Sequence, residues 1–291
     1  MFDINWLKTF VTLAELQHFG KSAVALHMTQ PNVSLHLKQL EKVTRTKLIE
    51  RSPFRLTQAG QRLLKSSQKT LQELKVCQAD INALNELHQG TLTIAASDII
   101  SRALLIEPFQ LFKQEYPNID LALFNTTSSQ ASSLVKSADA ELGFVIAQKE
   151  SLPLHFSELK AVHWCAVGHQ LSLVQGEVVQ KDSKELPTLI LLGHDTRTRD
   201  LIDLALPTLN LPGFRVMEVG SVDAQIDWAE AGFGTAIVPD FSIYNREHLK
   251  AEVVTLLDFP CTSLGYVVRK NQILSKAVKH LLRLVSKQIA I

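Results

Sequence analysis

The stretch "TQPNVSLHLKQLE" (Thr29–Glu41) decides how the front of this chain folds. Thr29 is the better helix cap, and Pro31 falls in the first turn, where proline is tolerated. With residues about 100° apart, Val33, Leu37 and Leu40 share one arc. Pro31, Ser34, Leu35, Lys38 and Lys42 occupy the opposite one, with Asn32 and Gln39 at its edge. Toward water, a leucine between lysines has no purpose. Against a base-pair floor it does. Lysines can meet phosphate oxygens, Asn32 and Gln39 can offer paired donor and acceptor to adenine, and Leu35 can touch a thymine methyl. A solvated face with one stray leucine is the competing reading of this helix taken alone.

The neighbouring segments favour the first reading. Leu7, Phe10, Val11 and Ala14 recur at helical spacing, so 4–17 reads as an amphipathic helix interrupted by Gly20. "KSAVALHM" (21–28) reads as a short second helix. A tight polar turn then leads into the helix opening on Gln30-Pro31, a helix-turn-helix pattern. In "KLIERSPFRLTQAG" (47–60), Leu48-Ile49 and Phe54-Arg55-Leu56 predict two short strands around Ser52-Pro53, a wing beside the helices. Thr57 then starts another helix. From Leu63 to Leu87 there is neither proline nor glycine. Leu64, Leu71, Leu74, Ile81, Leu84 and Leu87 lie near a seam of roughly 3.5-residue period, broken by Ser67 and Gln78. Globular helices average ~10–14 residues, so this one is expected to dimerise rather than only pack on its own domain. His88-Gln89-Gly90 reads as a hinge.

Charge separates the two ends. Residues 1–89 hold 12 Lys and Arg against 7 Asp and Glu, whereas the remainder holds 18 against 22. A basic front on an acidic back suggests that the front meets a polyanion. Cys77, Cys165 and Cys261 lie far apart, without zinc or C-x-x-C spacing, and no cofactor or metal is implied. They read as buried or free thiols, and a redox switch would need an activated thiolate. No apolar run approaches the roughly 20 residues of a membrane span. "MFDINWLKTF" lacks the basic and apolar parts of a signal peptide, so the expected location is cytoplasmic.

After Gly90 the pattern changes. Strand, helix, strand, helix, strand is expected over 91–97, 101–116, 120–125, 128–138 and 141–147. Further strands are expected at 162–168, 188–192, 215–219, 234–238 and 264–269, with helices near 197–206, 222–231, 240–248 and 273–288. That alternation implies parallel sheets covered by helices, in one or two α/β lobes.

The block from Leu7 to Gly60 resembles the DNA-binding domain of LysR-type transcriptional regulators. The likeness is carried by Phe10, Ala23, Leu26, Thr29-Gln30-Pro31, Val33-Ser34, Leu40-Glu41, Leu48, Arg51 and Leu56-Thr57-Gln58-Ala59-Gly60. "PFQLFKQEYPNIDLAL", "ELGFVIA" and "AEAGFGTAIVPDF" extend it more weakly to the effector domain. The chain departs from the family at Gly20, Ser22, Thr44-Arg45 and Leu35.

The resemblance implies an α/β chain overall. A winged helix-turn-helix occupies 1–60, a linker and dimerisation helix with its hinge 61–89, and a two-lobed effector domain like a periplasmic binding protein 90–291. Lobe I is expected at about 90–161 and 269–291, and lobe II at about 162–268. It also implies that Gln30, Pro31, Asn32, Ser34, Leu35 and Lys38 sit at or near double-stranded DNA. Lys42 shares their face, and Arg51 and Arg55 lie on the wing. Homodimers or homotetramers would read a two-fold site, with RNA polymerase a further candidate partner and no membrane involved.

Ligands of open α/β sheets sit beyond the C-terminal strand ends. Polar clusters there nominate Ser97, Asp98, Ser101, Thr126, Thr127, Ser128, Thr196 and Ser221 as contacts for a small effector in the cleft. Taken singly, each could be only a helix cap. Asp98 either points away or meets a cationic group on the ligand, while Arg102 and Arg197 could instead neutralise an acid. An enzyme on this fold is the rival. The chain has no G-x-S-x-G, Walker loop, G-x-G-x-x-G or H-E-x-x-H, so no catalytic residue is nominated. A solute-binding protein would leave the basic front unexplained.

Overall fold

The computed structural model describes residues 1–84, 90–147, 154–169, 171–174, 177–180, 186–209, 211, 213–244, 246, 248–257, 259 and 262–289. These form two compact units, Met1–Ala79 and Asp80–Ile291. Leu87, Cys261 and the His88-Gln89 part of the expected hinge lie outside the described residues.

In the first unit, helices α1 (Ile4–Leu16), α2 (Phe19–Ala25) and α3 (Gln30–Thr44) precede strands β1 (Ile49–Arg51) and β2 (Phe54–Leu56) and the start of α4 (Gln58–Leu84). Leu7, Phe10 and Leu13 of α1 meet Ala23 of α2 and Val33, Leu37 and Leu40 of α3 in one core. The wing pairs antiparallel, with Glu50 opposite Arg55. The second helix begins two residues earlier than its apolar pattern suggested, because His18 Nδ1 accepts from the Lys21 N–H at 3.2 Å and caps it. Thr29 stands at the N-cap of α3 but its hydroxyl accepts no capping bond. The Thr29 carbonyl instead receives the Asn32 and Val33 N–H groups.

The motif residues after α3 lock the wing to the helices. The Glu41 carboxylate accepts the Leu48 N–H at 2.9 Å. The Thr57 hydroxyl donates to the Lys47 carbonyl at 2.8 Å and accepts the Gly60 N–H at 3.1 Å, capping α4. Helix α4 therefore begins inside the expected 1–60 domain and runs 27 residues unbroken. Leu74 (45% exposed) and Ile81 (47%) lie uncovered along it.

The second unit holds two five-stranded sheets. Strands β3 (Gly90–Ala96), β4 (Ile119–Asn125) and β5 (Leu142–Ala147) are parallel. They alternate with α5 (Asp98–Ile100), a π-turn at Ser101–Leu105, α6 (Ile106–Glu115) and α7 (Ser128–Lys136). Next come β6 (His155–Val162), β7 (Trp164–Gly168) and a hairpin of β8 (Leu171–Val174) with β9 (Glu177–Gln180). The chain continues through β10 (Thr188–Leu192), α8 (Arg197–Ala205), a 3-10 turn at Leu206–Leu209, β11 (Arg215–Val219), α9 (Val222–Glu230) and β12 (Thr235–Pro239). A 3-10 turn at Asp240–Ser242, β13 (Glu252–Leu256), β14 (Thr262–Val268) and α10 (Lys276–Ile289) complete it.

One lobe has strand order β4-β3-β5-β14-β6, the other β11-β10-β12-β7-β13. Two expectations change here. The strand expected at 162–168 is present as β7 but starts only at Trp164, while Val162 ends β6 of the other sheet. The returning crossover precedes β14 instead of following it near residue 268. Strand β14 pairs with both β5 and β6 and so belongs to the first lobe. Alternating apolar residues specify a strand but not the sheet that receives it. The helix expected near 240–248 is only the short 3-10 turn, in which Phe241 is buried and the Ser242 hydroxyl donates back to the Pro239 carbonyl. Strands β6 and β13 carried no clean alternation, since both lie at sheet edges with mixed burial.

Near the C-terminal end of α4, Asp80 receives Arg269 Nη2 at 3.2 Å, and Arg269 is buried. Burial pushes the neighbouring Glu141 carboxyl above its usual range, partly offset by a hydrogen bond from Thr93 backbone and by the Arg269 charge. The folded state thus binds the Glu141 proton more tightly than the unfolded chain. Its contribution is fully present below the unfolded pKa and is lost as pH rises through the folded one. Glu141→Gln mimics the protonated acid. The melting temperature of the variant should gain on wild type as pH rises from about 4 to about 7. Parallel profiles over that range would refute the assignment.

Candidate functional site

The helix-turn-helix unit presents the nominated face to solvent. Gln30, Pro31, Asn32, Lys38 and Lys42 are exposed, Ser34 is half-buried, and Leu35 is 50% exposed between Pro31-Asn32 and Lys38. The inward side of α3 is held by its three core residues and by His36, whose Nδ1 lies 2.8 Å from the Thr9 hydroxyl. The face is therefore fixed in rotation relative to α1. On the wing Arg51 and Arg55 are both exposed, and the Arg51 guanidinium stacks over the Phe19 ring at 5.2 Å. That contact couples the wing to the start of α2 and orients one cation while leaving it accessible.

In the second unit, a cavity of about 450 Å³ opens between the two lobes. Ser97, Asp98, Thr126, Thr127 and Ser128 line it from the first lobe, and Thr196 and Ser221 from the second. Ser101 does not reach it, because its hydroxyl turns back to the Asp98 carbonyl at 2.8 Å. Four helices begin at this cavity, with Ser97, Thr127, Thr196 and Ser221 at their N-cap positions. Thr127, Thr196 and Ser221 cap their own third N–H groups, whereas Ser97 makes no such bond. The Ser128 hydroxyl accepts the Ile146 N–H at 3.2 Å, tying the start of α7 to the end of β5. Ile99, Ile146, Leu192, Val222 and Pro239 supply apolar wall. A largely pre-formed pocket of this size, with polar groups converging from separate elements, fits a small molecule.

Comparison with known proteins accounts for both units. Residues 4–61 match the model "Bacterial regulatory helix-turn-helix protein, lysR family", and residues 85–290 match "LysR substrate binding domain". The chain belongs to the LysR family of transcriptional regulators. The HTH-type transcriptional regulator CitR of Bacillus subtilis is 26% identical over 258 residues, covering 87% of this chain and 88% of its own. Full-length OxyR from Pseudomonas aeruginosa superposes with TM-score 0.63 at 18% identity, over 100% of this chain and 95% of that one. CbnR, solved in complex with its target DNA, gives TM-score 0.59 at 18% identity, over 98% and 99% of the two chains.

Within this LysR-family fold, several cavity residues were not nominated from sequence. Asn125, Gln130, Arg197 and Thr198 also line the cleft. Gln130 was legible, since Thr127-x-x-Gln130 is a capping box. Arg197, considered only as a countercharge, lies at the cavity on the second lobe. Arg102 is spent elsewhere. It crosses between lobes to Asp223, and Asp223 in turn receives Arg246 at 2.6 Å. Burial pushes the Cys165 thiol up, partly offset by a hydrogen bond with Thr255 and reinforced by Asp240. Cys165 is therefore no activated thiolate. Among the described residues no helix is long and apolar enough to cross a membrane.

Proposed function

We propose that this LysR-family regulator binds double-stranded DNA through α3 and the wing, as a homodimer or homotetramer. A small molecule in the interlobe cavity modulates that binding. The observation that carries the reading is the outward face of α3, where half-exposed Leu35 stands between exposed Lys38 and the N-terminal Pro31-Asn32. A helix so arranged suits a major groove, with Lys38 and Lys42 on phosphates, Asn32 on a base edge and Leu35 on a thymine methyl. Arg51 and Arg55 extend the cationic track on the wing. CbnR, which shares the fold, was solved with its target DNA. The uncovered Leu74 and Ile81 of α4 support self-association through that helix, with RNA polymerase a further candidate partner. We place the protein in the cytoplasm and assign it no enzymatic activity.

The test is a fluorescence-anisotropy series with the fragment upstream of the protein's own coding region. Lys38→Ala should weaken binding to every sequence and flatten the log K against log salt slope by about 1. An unchanged slope counts against a phosphate contact. Leu35→Ala should cost about 1 kcal/mol selectively, at sites with one particular thymine. Equal loss on all DNA sequences refutes the methyl contact. For the ligand, the effector must bind the closed and open lobe arrangements unequally if it is to change DNA binding. Identical footprints with and without the bound ligand would contradict that.

A further inference from the structure

Among the described residues, one acidic and one basic side chain line the cavity, and they belong to opposite lobes. Asp98 enters from the first lobe and Arg197 from the second. Each has an ion-pair partner on its own helix, but among the described residues neither has a charged partner within hydrogen-bond distance. The Asp98 carboxylate has Arg102 at 3.7 Å, beyond hydrogen-bond reach, and Arg102 is drawn to the closer Asp223. Arg197 has Asp200 at 3.8 Å, also beyond reach. The Asp98 side chain stays 44% exposed and that of Arg197 31%.

Local backbone charge divides the two ends further. Asp98 stands in the first turn of its own helix, where it already answers the positive helix end. A second anion there would meet like charge. On the other lobe the Thr196 hydroxyl caps only the Arg199 N–H, leaving the first N–H groups of α8 beside Arg197 for an acceptor.

Building on the proposed effector site, we infer that its ligand is a small zwitterion of the amino-acid type. Its ammonium meets Asp98 and its carboxylate meets Arg197 and the start of α8. Because the two charges sit on different lobes, such a ligand spans the cleft. It binds the closed arrangement better than the open one, the inequality that regulation requires. A dicarboxylate would set one of its charges against Asp98. A diamine would set one against Arg197.

The test uses the full-length protein and isothermal titration with each of the twenty free L-amino acids and their N-acetyl derivatives. Succinate, citrate and putrescine complete the panel. The expected result is binding of at least one free amino acid, lost on acetylation. Asp98→Asn and Arg197→Gln should each weaken it at least tenfold, with unchanged circular dichroism. Binding of succinate or citrate that survives Asp98→Asn overturns the zwitterion assignment and leaves the cavity as an effector site. Binding of putrescine alone, or of acetylated and free forms alike, also overturns it. If nothing in the panel binds, the zwitterion assignment fails, while DNA affinity measured on the same preparation tests the DNA-binding half independently.

Discussion

Gly60→Ala should cost the helix-turn-helix unit about 3 kcal/mol and remove most DNA binding with it, the upper range for overpacking a tight site. Helix propensity alone argues the reverse, since alanine within a helix is favoured over glycine by ~1 kcal/mol. Packing decides against it. A Cβ at Gly60 would lie 2.1 Å from the Leu48 carbonyl oxygen and 3.1 Å from its carbon. Both are backbone atoms, so no side chain can swing aside. Leu48 cannot retreat either. Its N–H is held by Glu41, its carbonyl accepts the Thr57 N–H at 3.0 Å, and its side chain is buried. Relief would have to separate the wing from α4 or from α3. Hydrogen exchange of the α3 amides in the full chain measures this, and protection equal to or above wild type would show the contact to be harmless.

Arg199→Met should lower the stability of the second unit by about 3 kcal/mol, the lower end for removing one partner of a buried ionic cluster. That corresponds to roughly 6–12 °C in melting temperature for a unit of this size. Arg199 is only 4% exposed. Its Nε donates to Asp203 at 2.8 Å, and its Nη1 to the Leu192 carbonyl at 2.8 Å and to Glu218 at 3.0 Å. Burial alone would pull the guanidinium pKa down, but hydrogen bonds and charge from Asp203 and Glu218 raise it on balance. The charge is therefore retained. One side chain thus joins α8 to the ends of β10 and β11, and Leu192 itself lines the interlobe cavity. The variant should lose ligand affinity along with stability. Arg199→Lys should recover little, because an ammonium cannot reach three acceptors with the planar guanidinium fork. A melting temperature within about 1 °C of wild type would disprove this role.

Most of the N-terminal unit was legible because its contacts are local. The apolar positions of α1 and α3 recur at helical spacing, and the residues they meet lie within some sixty positions of one another. Loop closure over such distances adds little that the pattern does not already show. The cationic face of α3 was readable for the same reason, since about half a helical turn separates Val33, Leu37 and Leu40 from Leu35 and Lys38. The cavity was partly legible. Seven of the eight nominated residues line it, because strand ends followed by hydroxyl caps mark where helices start. Ser101 does not line it because its hydroxyl, at the start of the π-turn, donates back to the Asp98 carbonyl.

Periodicity and composition were thus enough to establish a basic winged helix-turn-helix, a long helix and an α/β region with polar strand ends. Tertiary structure alone decided which sheet accepts β14, that Arg102 is taken by Asp223 while Arg197 stays at the cavity, and that Gly60 rests against the Leu48 carbonyl. The physical reason is reach. A repeating pattern reports which way each residue faces its own element. Pairing across lobes depends on where the chain crosses between them, and no short-range spacing encodes that crossing.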